Sequence, residues 1–205
     1  MLTVKICGLT SAFDAMVAAE AGADYLGFVF APGSPRSLSS EDLAWIRALP
    51  FAAKVGVFCD QSADFIWQTV EAAGLAWVQL HGAEPPSLCA ELGGAARVIK
   101  AIQVADRVNW ELVRTYAPVA RILFDAGAGS GGSFPWELLR QPPWPWPFWL
   151  AGGLRPDNVA QAIAACAPAG VDVSSGVESA PGRKDPAKVR AFLAAAKGGW
   201  CEAGT

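Results

Sequence analysis

The sequence contains few charged residues and a single histidine, His81, among its 205 residues. Charged residues make up 17% of the chain and hydrophobic residues 53%, which excludes intrinsic disorder, since disordered chains combine high charge with little apolar material. The net charge is −3, and the sequence has no cluster of lysine or arginine. We therefore expect no nucleic-acid partner.

Long apolar runs are also missing. The mean hydropathy of +0.29 is high, yet no stretch of about 18 uninterrupted apolar residues occurs, as a spanning helix requires. The first residues lack the charged start and apolar stretch of a secretory signal. These features predict a cytoplasmic protein without a membrane partner.

The five cysteines are odd in number and widely spaced, and they form no Cys-x-x-Cys pair that would indicate zinc. With one histidine, the sequence predicts no metal site. In a reducing compartment the cysteines are free thiols, and we expect Cys59, Cys89 and Cys166 to be small buried side chains. Cys201 falls in residues 198–205, which we interpret as a flexible tail.

Short β-rich segments alternate with alanine-rich helical segments along the whole chain. Strands are predicted over residues 2–7, 25–30, 54–59, 76–80, 97–102, 121–124, 148–150 and 171–174. Helices are predicted over residues 11–21, 39–48, 62–73, 86–92, 107–116, 135–140, 156–166 and 186–196. The pattern therefore contains about eight strand–helix units.

Eight such units are the number that closes a parallel (βα)8 barrel, and we predict one barrel domain spanning residues 1–205. The chain is near the lower limit of about 200 residues for this fold, so its loops must be short. The alternative is an open, doubly wound sheet, but no Gly-x-Gly-x-x-Gly turn follows the first strand. The proline-rich segment over residues 141–148 is interpreted as a stiff connector, and less readily as a peptide recognised by a partner.

In a (βα)8 barrel the working residues lie at the carboxyl ends of the strands and on the loops that follow. That rule selects polar residues after the first, second, fourth, sixth and eighth strands. They are Cys7, Arg36, Gln79, His81, Asp125 and Asp172. Cys7 and Asp125 end strands on roughly opposite sides of the ring, so they could act on a substrate as base and acid. Lys5 shares the side of the strand used by Cys7, and its charge would favour the thiolate.

Small residues after the seventh and eighth strands predict a phosphate site. They are Gly152, Gly153, Ser174, Ser175 and Gly176. Small side chains let backbone N–H groups approach a phosphate, and a short helix after the last strand would add its positive end. Loops seven and eight are the usual phosphate site of such barrels. We therefore expect a small phosphorylated substrate.

Several motifs in order along the chain resemble those of the phosphoribosylanthranilate isomerase family. They are KICGLT at 5–10, GFVF at 27–30, SPRS at 34–37, VQLHG at 78–82, LFDA at 123–126, LAGGL at 150–154, GVDVSSGVE at 170–178 and PGRKD at 181–185. The resemblance runs from Thr3 to about Lys197. It implies a cofactor-free Amadori rearrangement of N-(5′-phosphoribosyl)anthranilate in tryptophan biosynthesis.

The resemblance also implies roles for individual residues. Asp125 would protonate the furanose ring oxygen, and Cys7 would remove the C2′ proton. Arg36 would lie near the anthranilate carboxylate, and Asp172 near the sugar hydroxyls, although Asp172 could equally be a buried structural carboxylate. For His81 we favour a role in positioning its loop.

Two features depart from the family pattern. Pro135 stands between Phe134 and Trp136 where an aspartate is usual, and the sixth loop over residues 126–133 lacks a lysine that many members carry. Two other functions stay open. One is another phosphosugar barrel enzyme, such as an epimerase or indoleglycerol-phosphate synthase, and the other is a barrel that binds a phosphometabolite without catalysis. The oligomeric state cannot be predicted from these patterns.

Overall fold

The computed structural model describes residues 2–127, 134–140 and 145–198. The parallel strands are β1 (Thr3–Ile6), β2 (Tyr25–Val29), β3 (Lys54–Phe58), β4 (Trp77–Leu80), β5 (Val98–Gln103), β6 (Arg121–Asp125), β7 (Phe148–Leu150) and β8 (Gly170–Val173). The α-helices are α1 (Ala12–Glu20), α2 (Leu43–Ala48), α3 (Ala63–Ala73), α4 (Pro86–Glu91), α5 (Trp110–Tyr116), α6 (Val159–Cys166) and α7 (Pro186–Gly198). Short 3₁₀ helices cover Ser40–Asp42, Gly94–Ala96, Trp136–Arg140 and Ser175–Val177.

The eight parallel strands form a closed ring in chain order, β1 to β8. Closure is made by pairing of the first and last strands, with Lys5 opposite Asp172 in the register. The predicted (βα)8 barrel is therefore confirmed, and the open, doubly wound sheet is excluded. Ring closure brings the carboxyl ends of all eight strands to one face of the molecule.

The core has an inner and an outer part, because the strands of a parallel barrel are covered on both faces. The inner cluster consists of Val55, Ile99, Ala101, Leu123, Trp149 and Ala151. A much larger cluster fills the layer between strands and helices, with Phe28, Phe58, Phe124 and Phe192 fully buried.

Serine and glycine residues define several helix ends. The side chains of Ser11 and Ser62 accept hydrogen bonds from backbone N–H groups in the first turns of α1 and α3. Gly74 ends α3 with a φ of 63°, which glycine adopts without a steric penalty. These caps fix where each helix begins and ends, and so where the strands that follow can start.

One local prediction needs correction, and one local element was not predicted. The segment over residues 135–140 is a 3₁₀ helix, Trp136–Arg140, rather than an α-helix, and it forms after Pro135 without the usual aspartate. A small antiparallel hairpin, β9 (Glu178–Ala180) with β10 (Arg183–Lys184), follows the last barrel strand and was not predicted from the sequence. This hairpin contributes two buried charged residues, Glu178 and Lys184, next to the predicted phosphate loops.

Three regions with sequence predictions lie wholly or partly outside the described residues. They are the sixth loop at residues 128–133, the connector at 141–144 and the tail at 199–205, which includes Cys201. Cys89 and Cys166 are buried as predicted, whereas the prediction for Cys59 is wrong because its side chain is exposed. No helix in the described ranges is long and apolar enough to cross a membrane.

Candidate active site

A pocket of about 440 Å³ opens at the carboxyl ends of the barrel strands. A volume of this size suits a small ligand. All nine residues predicted as catalytic or binding residues line it: Cys7, Arg36, Asp125, Gly152, Gly153, Asp172, Ser174, Ser175 and Gly176. The strand-end rule thus selected residues that share one cavity.

Cys7 follows the last residue of β1 and is buried, with 7% of its surface exposed. Gly27 on β2 makes room for the thiol, since a Cβ there would lie 2.8 Å from Cys7 Sγ. Burial raises the pKa of the Cys7 thiol, and the positive charge of Lys5 opposes this shift without cancelling it. The expectation that Lys5 favours the thiolate is correct in sign, but desolvation is the larger effect.

Lys5 and Asp172 form a buried ion pair below the pocket. Lys5 Nζ lies 2.8 Å from Asp172 Oδ2, and the Lys5 side chain is completely buried. Burial lowers the pKa of Lys5, but the attractions of Asp172 and Cys7 together outweigh it, so the net shift is upward. Asp172 Oδ1 is also buried and has no hydrogen-bond partner among the described residues. Oδ2 of Asp172 therefore has a structural role in the ion pair, whereas Oδ1 can accept a hydrogen bond from a ligand.

Asp125 ends β6 and presents its two carboxylate oxygens to different neighbours. Oδ1 accepts a hydrogen bond of 3.1 Å from the backbone N–H of Gly127. Oδ2 lies 3.2 Å from Nε2 of His81, although the two atoms are not aligned as a hydrogen bond. The histidine and the predicted acid are thus in direct contact, which the sequence interpretation of His81 did not foresee.

The loop that carries His81 is held by a buried pair of charged residues. Glu84 accepts hydrogen bonds from Gly82 N at 3.1 and 3.0 Å, and from Asp60 N at 2.9 Å on the neighbouring loop. Lys100 Nζ lies 2.7 Å from Glu84 Oε2 and 2.5 Å from the Gly82 carbonyl oxygen. Glu84 and Lys100 therefore position this loop, and with it His81.

Arg36 lines the pocket mouth, but its guanidinium already holds a carboxylate of the protein. Arg36 Nε and Nη2 each donate a 2.7 Å hydrogen bond to the two oxygens of Glu178. Glu178 also bonds to Lys184 Nζ at 2.8 Å. The hydrogen bonds to Glu178 raise the pKa of Arg36. A guanidinium has five N–H donors, so three remain for a ligand.

The two predicted phosphate loops are in direct contact. A Cβ on Gly176 would collide with the carbonyl oxygen of Leu154, so only glycine allows this approach. Gly152 and Gly153 have φ values of 86° and 64°, which favour glycine. The short helix expected after the last strand is the 3₁₀ helix Ser175–Val177, whose first N–H groups have no partner within the helix.

Within residues 2–127, 134–140 and 145–198, no three His, Cys, Asp or Glu side chains are grouped so that they could hold a metal ion. The pocket instead offers a thiol, two carboxylates, an imidazole and a guanidinium. Sequence reasoning missed Glu178, Lys184, Glu84 and Lys100. The sequence signal that could have found them is that they are charged residues in a chain that has few.

The chain matches the family model of N-(5′-phosphoribosyl)anthranilate (PRA) isomerase over residues 4–195. A similar protein from Magnetococcus marinus, N-(5′-phosphoribosyl)anthranilate isomerase, is 46% identical over 201 residues, which is 95% of this chain and 94% of that protein. Another of the same name, from Geobacter sulfurreducens, is 47% identical over 97% of this chain and 100% of its own length.

Solved structures give the same result. The crystal structure of phosphoribosyl anthranilate isomerase from Thermotoga maritima superposes with a TM-score of 0.88 and 40% identity, covering 97% of this chain and 100% of that one. A phosphoribosyl anthranilate isomerase in complex with reduced 1-(o-carboxyphenylamino)-1-deoxyribulose 5-phosphate superposes with a TM-score of 0.85 and 40% identity, at the same coverage.

Proposed function

The chain belongs to the N-(5′-phosphoribosyl)anthranilate isomerase family, and on this premise we propose how its pocket performs the reaction. The protein is an isomerase of tryptophan biosynthesis. It converts N-(5′-phosphoribosyl)anthranilate to 1-(2-carboxyphenylamino)-1-deoxyribulose 5-phosphate. The assignment of the steps to side chains is the proposal.

Asp125 acts as the general acid, and Cys7 acts as the general base. Asp125 gives its proton to the ring oxygen of the ribose as the bond from C1′ to that oxygen breaks. The lone pair of the substrate nitrogen forms the C1′=N bond of a protonated Schiff base. The Cys7 thiolate then takes the C2′ proton, and the bonding electrons move to the nitrogen. The resulting enolamine takes up a proton at C1′ while the hydroxyl group on C2′ loses one, and the ketone forms.

The substrate nitrogen serves as the electron sink, which is why these steps need no metal or organic cofactor. The required residues are an acid and a base on either side of one sugar. Cys7, directly after β1, and Asp125, at the end of β6, line one pocket from different sides of the ring. This shared cavity is the observation that carries the proposal.

Two further residues bind the ends of the substrate that do not react. Arg36 directs its unused N–H donors to the anthranilate carboxylate, while Glu178 fixes the plane of the guanidinium. Asp172 Oδ1 accepts a hydrogen bond from a sugar hydroxyl, because it is a buried acceptor that otherwise has no donor.

The phosphate is bound by the loops after β7 and β8. Backbone N–H groups around Gly152, Gly153, Ser175 and Gly176 surround it, and Ser174 adds its hydroxyl group. The contact between Gly176 and Leu154 brings the two loops close enough to share one dianion. Anchoring by the phosphate places the ribose between Cys7 and Asp125.

An enzyme assay tests this function. Phosphoribosylanthranilate is fluorescent, and we expect the purified protein to consume it with loss of fluorescence. A folded protein that binds the substrate without consuming it would instead be a phosphometabolite-binding barrel. A protein that turns over a different phosphosugar would be another barrel enzyme.

We place the enzyme in the cytoplasm, because the Cys7 thiol must stay reduced to act as a base. Cell fractionation with an antibody to the protein tests the location. Recovery with oxidised, exported proteins would contradict it.

A further inference from the structure

Gln79 is a buried polar residue of the pocket to which the reaction steps above give no role. Its side chain is 1% exposed on β4, and it lines the cavity. Its Oε1 is buried without a hydrogen-bond partner among the described residues. Burying an amide that contributes nothing costs free energy, so its placement requires an explanation.

The amide nitrogen of Gln79 faces the ring of His81. Gln79 Nε2 lies 3.4 Å from His81 Nδ1. The two residues are two positions apart at the end of β4, so their side chains point to the same face. With the amide in this orientation its NH₂ group can only donate, and Nδ1 then accepts and carries no proton. The ring proton of neutral His81 is then on Nε2, the atom 3.2 Å from Asp125 Oδ2.

We propose that Gln79 is a positioning residue that keeps Nδ1 of His81 without a proton and so holds the ring proton on Nε2, which leaves the proton of Asp125 to the substrate. The proposal rests on the proposed role of Asp125 as general acid. Protonation of His81 would have to occur at Nδ1, where it would place a proton against the amide NH₂ of Gln79.

The position of the ring proton decides where the acidic proton of Asp125 points. Asp125 Oδ1 is already an acceptor for Gly127 N, so the proton of the acid is on Oδ2. If Nε2 carries a hydrogen, the ring cannot accept the acidic proton of Asp125, which stays available to the pocket. A bare Nε2 would instead bind that proton and turn it away from the substrate. A charged imidazolium would hold Asp125 as a carboxylate with no proton to give.

Other charged and titratable groups surround this pair. Those that share the pocket or lie behind the His81 loop are Cys7, Arg36, Cys59, Glu84, Lys100 and Asp172. Glu84 and Lys100 are paired with each other at 2.7 Å, and Asp172 with Lys5 at 2.8 Å. Arg36 is paired with Glu178. Gln79 is the residue whose amide nitrogen lies next to Nδ1 of His81.

The proposal is tested directly by NMR, because His81 is the only histidine in the chain. Protein labelled with ¹⁵N-histidine and purified without a histidine tag gives one pair of ring nitrogen signals. We expect the Nε2–H form in the parent protein. Gln79→Met removes the donor, and Gln79→Glu replaces it with an acceptor, so protonation of Nδ1 should increase in that order. Gln68→Met, the same change on the exposed surface of α3, is the matched control and should leave the signals as in the parent.

Kinetics give a second readout. Gln79→Glu keeps an oxygen at the position of Oε1, so KM should change little. The value of kcat should fall roughly 10- to 100-fold, as expected when a general acid loses its proton. Gln79→Met should fall between the parent and Gln79→Glu. The proposal is overturned by a proton on Nδ1 of His81 in the parent. It is also overturned by an Nδ1 without a proton in Gln79→Glu. Activity that survives in Asp125→Asn contradicts the proposed acid instead, and the two failures are thus distinguishable.

Discussion

Lys5 Nζ lies 2.8 Å from Asp172 Oδ2, across the seam where the first strand of the barrel pairs with the last. The pair carries opposite charges next to the Cys7 thiol, and the two charges act on its pKa in opposite directions. Lys5 lowers the pKa of Cys7, whereas burial, the largest effect, and Asp172 raise it. The reactivity of the proposed base therefore depends on ring closure as well as on the residue itself.

The pH dependence of kcat/KM should report the Cys7 pKa in the free enzyme. Because Cys7 acts as a thiolate and its pKa is raised, kcat/KM should rise with pH through a midpoint above about 8.5, the ordinary thiol value. Lys5→Met should move this rise to higher pH, and Asp172→Asn should move it to lower pH. Shifts of the same sign in both variants would contradict the account.

Lys5→Met leaves Asp172 as an uncompensated buried charge, which typically costs about 3–5 kcal/mol. Thermal unfolding measures this cost. The double variant Lys5→Met/Asp172→Asn should recover part of the lost stability, since neither charge is then unpaired. A double variant less stable than Lys5→Met would show that the pair is not coupled in this way.

The phosphate loops are tested by a charge placed between them. Gly153→Asp should raise KM strongly, through steric intrusion and repulsion of the phosphate in a site of reduced dielectric. Ser175→Ala should be mild, since it keeps the backbone donors. Inorganic phosphate should inhibit the parent competitively and inhibit Gly153→Asp poorly. Normal substrate and phosphate binding by Gly153→Asp would place the phosphate elsewhere.

Acid stability should depend on Glu178. Burial raises the pKa of this carboxyl group, but the hydrogen bonds and charges of Arg36 and Lys184 outweigh burial and lower it. A carboxylate with a lowered folded-state pKa stabilises the protein above its unfolded pKa, and the contribution is lost as pH falls through the folded value. We therefore expect the unfolding temperature of Glu178→Gln to fall less than that of the parent below about pH 4.3, the ordinary glutamate value. Equal acid sensitivity would contradict this.

Treatment with EDTA tests the cofactor-free mechanism. We expect unchanged activity, because the proposed steps use the substrate nitrogen as electron sink. Loss of activity that zinc or magnesium restores would contradict the mechanism.

Much of the fold and of the pocket lining could be predicted from the sequence. Alternation of strands and helices is a local signal, and the rule that function lies at strand ends then selects Cys7, Arg36, Asp125 and Asp172 without coordinates. The pairing of these residues could not be predicted. Arg36 meets Glu178 across 142 residues, and it does so through a hairpin whose two short strands leave little periodic signal.

The contact of His81 with Asp125 was missed for a similar reason. His81 follows β4 and Asp125 ends β6, and these strands are not neighbours in the ring, so the contact arises only in the closed barrel. The effect of burial on Cys7 was also missed, because the sequence shows the charge of Lys5 but not the degree of desolvation.

The most direct test of the central claim is kcat of the two variants Cys7→Ser and Asp125→Asn, measured by the loss of phosphoribosylanthranilate fluorescence. Circular dichroism first establishes that both are folded. The account predicts that each variant loses about 10²–10⁴-fold in kcat, the usual contribution of a general acid or base. Folded variants that turn over at nearly the parent rate would remove Cys7 and Asp125 from the mechanism.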